Sequence, residues 1–196
     1  LILLIGAVGC TAASPQQSDS QQQESQPQKP PAIEAAQKTL VIYFSATGST
    51  KAVAETIAET LEADIDEIIP EQPYTSEDLN WRDETSRVNA EHEDADFRPA
   101  IAGDIKDLSA YDTIFIGYPI WWGEAPNIVW NFVESYDFSG KTMIPFCTSS
   151  SSGLGSSGET LAALAPDAEW LEGQRFPSNA SAEDVVNWVK GLELNP

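Results

Sequence analysis

From Thr39 onward the chain alternates short apolar runs with segments of helical periodicity, five times over. Runs near 39–44, 63–69, 112–118, 142–147 and 169–175 read as strands, and segments near 50–61, 78–94, 126–136, 156–164 and 181–192 read as helices. Strands separated by helices run parallel, because a parallel pair needs a long crossover and the helix supplies it. The expected fold class is α/β: a three-layer, doubly wound, five-stranded parallel sheet with helices on both faces. Pro145 stands against this inside the fourth run, since it cannot donate a ladder hydrogen bond. Its neighbours Met143, Ile144 and Phe146 need burial, so the run is kept as a strand.

The first strand turns into the first helix through Ser45, Ala46, Thr47, Gly48, Ser49 and Thr50. After them Val53, Ile57 and Leu61 recur every four residues, with Ala54 and Ala58 beside them. The first turn of a helix has N–H groups without intrahelical partners, and the macrodipole adds partial positive charge. Small hydroxyl side chains let the backbone wrap an anion, Gly48 permits a turn closed to other residues, and no cationic side chain is required. The loop is a candidate phosphate site, with Lys51 a surface helix residue. It has neither the Gly-Lys-Ser/Thr ending of a nucleoside triphosphate loop nor the three-glycine spacing of a dinucleotide loop. An ordinary helix entry capped by Ser or Thr would have the same composition.

In a parallel sheet the loops after the first, third and fourth strands lie at one edge. The second of these holds Pro119, Ile120, Trp121, Trp122 and Gly123, followed by Glu124. Adjacent tryptophans are hard to bury, because each indole N–H wants a partner, and they suit a flat aromatic ligand. A hydrophobic plug or an interface patch is the alternative. The third loop runs from Thr148, Ser149 and Ser150 through Gly153 to Gly158 and can offer backbone groups to the polar rim of a planar ring. The link from about 70 to 111, with Trp81 near the start of its polar helix, reads as a solvated connector.

Together these three loops resemble the flavodoxin-like family, particularly its small bacterial flavodoxin and flavodoxin-type NAD(P)H dehydrogenase branch. The similarity spans residues 38 to 192. It implies the strand order 2-1-3-4-5 known for that fold, with FMN bound at the switch between strands one and three. It further implies that Ser45, Ala46, Thr47, Gly48, Ser49 and Thr50 hold the FMN phosphate. Pro119, Ile120, Trp121, Trp122 and Gly123 would line the isoalloxazine, and Thr148, Ser149, Ser150 and Gly153 would border its polar edge. Ser150 departs from the Gly that related sequences often carry there, so the backbone of that loop need not follow the family's path.

The chain has 31 acidic and 10 basic residues, a formal charge of -21. Residues 1 to 37 carry Asp19, Glu24 and Glu34 against Lys29, or -2, which leaves -19 on the folded part. Such a surface repels nucleic acid and anionic lipid and favours a redox partner protein with a basic docking face. Cys10 and Cys147 do not make a disulfide framework, and His92 between Glu91 and Glu93 has no Cys/His company that would hold a metal.

The opening Leu1 to Cys10 is too short to span a bilayer and reads as the apolar part of a secretory signal whose charged start is missing. Ala7, Val8, Gly9 and Cys10 resemble the lipobox of bacterial lipoproteins, which makes Cys10 a lipid attachment point. Residues 11 to 37, rich in Gln, Ser and Pro, cannot repay their own ordering entropy and form a tether reaching on the order of 30 Å. The expected location is the bacterial cell envelope, outside the cytoplasm, with the membrane touched through the anchor only and the FMN-binding domain over 38–196.

No candidate acid, base or nucleophile lies beside these loops in sequence, so no catalytic residue is assigned. The expectation is a membrane-tethered FMN electron-transfer protein. An FMN-dependent NAD(P)H oxidoreductase of quinone reductase type, or a flavin-free interaction domain, are the alternatives.

Overall fold

The computed structural model describes residues 37–192 and 194. The signal and lipobox reading, Cys10 with it, and the proposed tether through residue 36 lie outside the described residues. The elements are β1 (Thr39–Tyr43), α1 (Ser49–Leu61), β2 (Asp64–Glu67), α2 (Arg87–Glu93), a 3-10 turn (Leu108–Ala110), β3 (Thr113–Pro119) and α3 (Asn127–Ser135). They continue with β4 (Thr142–Thr148), α4 (Ser157–Leu164), β5 (Glu169–Trp170), β6 (Gln174–Phe176) and α5 (Ala182–Gly191). The sheet order is β2-β1-β3-β4-β5, with β6 also paired to β4, and every pairing is parallel. This is the expected doubly wound α/β architecture.

Side chains alternate across the central strands and so build two cores. Leu40, Ile42, Ile114, Ile116 and Met143 face one side, where they meet Ile128 and Phe132 of α3 and Leu161 of α4. Val41, Tyr43, Phe115, Ile144 and Phe146 face the other, against Val53 and Ile57 of α1 and Val185 and Val189 of α5. The edge strand β2 reads Asp64-Ile65-Asp66-Glu67, a charged sequence that discourages pairing with another chain. Among the described residues no helix is long and apolar enough to cross a membrane.

Two elements differ from the sequence reading. The fifth strand is split, and Pro145 explains why. Along β4 the odd-numbered residues direct their backbone groups toward the fifth strand: Met143 O accepts from Leu171 N and Ser149 N donates to Phe176 O. The donor that Pro145 lacks therefore falls on that side. Pairing stops after Met143–Trp170 and resumes at Phe146–Gln174, so Leu171 to Gly173 bulge past Ile144 and Pro145. Gly173 allows the close approach, since a Cβ there would lie 2.4 Å from the Pro145 carbonyl oxygen.

The helix expected over 78–94 begins only at Arg87. Residues before it are turns in which side chains take the backbone donors: Asp83 Oδ1 accepts from Thr85 N at 2.9 Å and Asn80 Oδ1 from Arg82 N at 3.3 Å. Short polar side chains compete with helical bonds in this way.

Cys147 is a free thiol buried in β4, and burial pushes its pKa up to about 12. It should resist thiol reagents at neutral pH in the folded protein and react at once in denaturant; a thiol titration in both conditions checks this.

Candidate functional site

The loops after β1, β3 and β4 meet at the carboxyl edge of the sheet. In the first, Gly48 adopts φ 90° directly before α1, a left-handed conformation that glycine accepts without strain. Its N–H donates to Ser45 Oγ at 3.1 Å, which turns the chain into the helix. The first turn of α1 holds no acidic residue. No hydrogen-bond partner among the described residues reaches the N–H groups of Thr47, Ser49 or Thr50, the donor set that an anion would take. Lys51 points away toward Glu67, 3.9 Å distant, as a surface residue.

Thr50 has a second duty. Its side chain is buried, 1% exposed, and its hydroxyl bonds that of Thr148 at 2.8 Å, tying the first loop to the third. Thr50→Val should therefore cost about 1–3 kcal/mol of stability, read from urea unfolding, because it leaves the buried Thr148 hydroxyl without a partner. Thr47→Val, at an exposed position, should leave stability unchanged.

The second loop closes on itself. Trp121 N donates to Glu124 O and Glu124 N to Trp121 O, both at 3.0 Å, around two residues with positive φ: Trp122 at 48° and Gly123 at 89°. A turn with both central residues left-handed suits Gly but not a bulky side chain. Trp122 is held there by a flat stack on His92, with ring centroids 4.5 Å apart and planes 7° from parallel. Trp121 turns inward and packs edge-on against Phe44 and Tyr74. Of the two tryptophans, one is thus partly a plug and the other, 42% exposed, faces outward.

The third loop is bound to both neighbours. Ile120 N donates to Thr148 O at 2.9 Å, and Ser156 Oγ donates to Glu124 Oε1 at 2.7 Å. Ser149 Oγ accepts from Ser151 N and Ser152 N, while Ser149 O receives Arg175 Nη2 at 2.6 Å. Ser150 is exposed and does not take positive φ, so its backbone conformation does not require glycine.

A cavity of about 450 Å³ opens between these elements. Ala46 and Thr47 line it from the first loop and Pro119, Ile120, Trp121 and Trp122 from the second. Its remaining wall is Leu79, Trp81 and Val88, which come from the long link. The expectation of a solvated connector is thereby corrected. Tyr74 anchors the link: its hydroxyl donates to Glu91 Oε2 at 2.7 Å, Arg87 Nε donates to Glu91 Oε1 at 2.7 Å, and the Arg87 guanidinium lies over the Tyr74 ring. Burial, then the bond to Glu91, holds the Tyr74 phenol well above its ordinary pKa. Gly123, Thr148, Ser149, Ser150 and Gly153 lie outside the cavity wall. Among the described residues no cluster of His, Cys, Asp and Glu could hold a metal ion.

A flavodoxin family model matches residues 38–192. The chain belongs to the flavodoxin family. This flavodoxin-family chain is similar to two solved structures from Bacteroides species, each described as a "putative flavoprotein". The Bacteroides uniformis chain is 45% identical with a TM-score of 0.75, over 79% of this chain and 98% of that one. The Bacteroides eggerthii chain is 40% identical with a TM-score of 0.74, over 81% of this chain and 99% of that one. A Lactobacillus acidophilus flavoprotein solved in complex with FMN shares the fold at 24% identity and a TM-score of 0.53, over 71% of this chain and 93% of that one. No curated protein matches the chain.

The sequence reading gave no site role to Leu79, Trp81, Val88 or His92. The one available signal was Trp81 standing in an otherwise polar stretch. In place of an isolated His between two glutamates, the flavodoxin fold puts the His92 ring directly on Trp122.

Proposed function

We propose that this chain is an FMN-binding redox protein that carries electrons to a partner outside the cytoplasm from a lipid-anchored position. One observation carries the cofactor: an uncommitted helix N-terminus without acidic residues adjoins an aromatic-walled cavity at the point where the strand order switches between β1 and β3. The residues fit FMN in chemistry as well as place. Backbone N–H groups and hydroxyls of Thr47 and Ser49 would hold the phosphate, and Trp121 and Trp122 would hold the ring. When bound, FMN supplies reversible one- and two-electron chemistry. The protein's part is to bind, orient and exclude water, and its surroundings raise the cost of added negative charge. Glu124 beside the second loop acts at short range, and the -19 of the folded part acts more weakly through salt.

Charge also supports the partner reading, since an acidic surface steers a basic protein toward the site. A second reading has its own support. Leu79, Trp81 and Val88 wall the cavity where a carrier would leave the ring open to a protein, which favours a small planar acceptor and an FMN-dependent NAD(P)H oxidoreductase.

Anaerobic reduction of the FMN-reconstituted protein, followed by its visible spectrum, decides between them. Stepwise reduction by dithionite with no response to NADH or NADPH supports the carrier. Rapid two-electron bleaching by either nucleotide moves the assignment to the oxidoreductase. A protein that stays colourless after incubation with FMN and desalting sinks both and leaves an interaction domain.

A further inference from the structure

The seven-residue helix α2 is too short to stand on its own hydrogen bonds, and its position is fixed from outside. Asn127, the buried first residue of α3, donates through Nδ2 to the carbonyls of Glu91, Asp94 and Phe97, which clamps the end of α2 and the residues after it. Arg87 and Glu91 tie the helix to the link, through the Gln72 carbonyl and the Tyr74 hydroxyl, each at 2.7 Å. A helix held at so many points can serve as a rigid support.

Three of its residues bear on the cavity of about 450 Å³ at the carboxyl edge of the sheet. Val88 is itself part of the wall. Asn89 Nδ2 donates to the carbonyls of Trp81 at 3.0 Å and Asp83 at 2.7 Å, which fixes the turn that carries Trp81. His92 lies flat on Trp122, another wall residue.

Trp122 needs such a support. It holds φ at 48°, where a bulky side chain is strained, and strain of this kind persists only where the surroundings over-determine it. The turn's own bonds, Trp121 N to Glu124 O and Glu124 N to Trp121 O, act on the flanking residues and would serve a glycine at position 122 equally well. A contact that tryptophan has and glycine would lack is the His92 ring, 4.5 Å away and 7° from parallel.

We propose that α2 is the positioning element of the cavity, with His92 and Asn89 as its positioning residues. His92 keeps Trp122 in the left-handed turn and fixes the plane of its ring, while Asn89 holds the backbone of Trp81. One face of Trp122 is committed to His92, so the indole is a backed platform in the cavity wall. That the platform serves FMN rests on the reading above; that His92 holds the turn does not.

Amide hydrogen exchange of the full chain without FMN tests the turn directly, because the Trp121 and Glu124 amides are protected while it is closed. His92→Ala should speed exchange at those two amides about three- to tenfold, the size expected for one lost ring stack. The Phe44 amide, bonded to Gly117 O in the sheet, should keep its rate. His92→Phe restores a flat ring and should bring both turn amides back to within about twofold of the parent. In a Trp122→Gly background, where strain and stack are both gone, His92→Ala should change nothing. Unchanged exchange in His92→Ala, or acceleration that extends equally to Phe44, overturns the proposal. Flavin fluorescence titration reads the consequence for the cavity: FMN should bind about three- to tenfold more weakly to His92→Ala and to Asn89→Ala, and at parental strength to His92→Phe. Parental affinity in both alanine variants overturns the step from α2 to the cavity. A parent chain that binds no FMN sinks the cofactor reading instead, and the exchange result still decides the turn.

Discussion

Ser49→Asp should strongly weaken FMN binding while leaving the fold as stable as before or more so. Ser49 is the first residue of α1, next to N–H groups that have no partner among the described residues. A carboxylate there interacts favourably with the helix dipole, worth about 0.3–1 kcal/mol. The same carboxylate occupies the anion position with its own charge and repels a phosphate dianion at contact distance. The expected loss is about 2–3 kcal/mol of binding, or roughly 30- to 150-fold in Kd. Ser49→Ala, which keeps the backbone donor, should lose about 1 kcal/mol or less. Flavin fluorescence titration alongside a thermal melt gives both numbers. Binding of FMN by the Asp variant at parental strength would mean that the phosphate does not sit at the start of α1.

Gly117→Ala should be a severely damaging single-methyl change within β3. A Cβ at Gly117 would lie 2.1 Å from Phe146 Cζ, and Phe146 is wholly buried. The backbone cannot retreat, because Gly117 is paired with Tyr43 on one side and Phe146 on the other. Overpacking of this kind costs about 3 kcal/mol. Phe146→Leu in the same chain should recover part of the loss, since the smaller side chain vacates the space. A double-mutant cycle in urea then reports a coupling of about 1 kcal/mol or more. Strict additivity of the two changes would show that the ring is free to move aside.

The turn from β1 into α1 was legible in the sequence because its signal is local: a strand, a few small hydroxyl residues, one Gly and a helix period are contiguous. The loop that holds the two tryptophans was legible for the same reason, and the strand order came with the family resemblance. The bulge at the fifth strand was half visible. Pro145 announced a defect, but only the pairing of Leu171 and Phe176 with β4 shows on which side the missing donor falls.

Composition and periodicity by themselves determined the α/β class, the strand-to-helix loop that opens α1 and the strong acidic excess, since each depends on neighbours in sequence or on a sum over residues. Tertiary structure alone decided what stands opposite those loops. Leu79, Trp81 and Val88 come from a polar link whose periodicity carries no apolar stripe, so nothing local marks them as a wall. His92 meets Trp122 across thirty positions, and Thr50 meets Thr148 across 98. Contacts of that range are set by which strands lie side by side and by how tightly the cores pack.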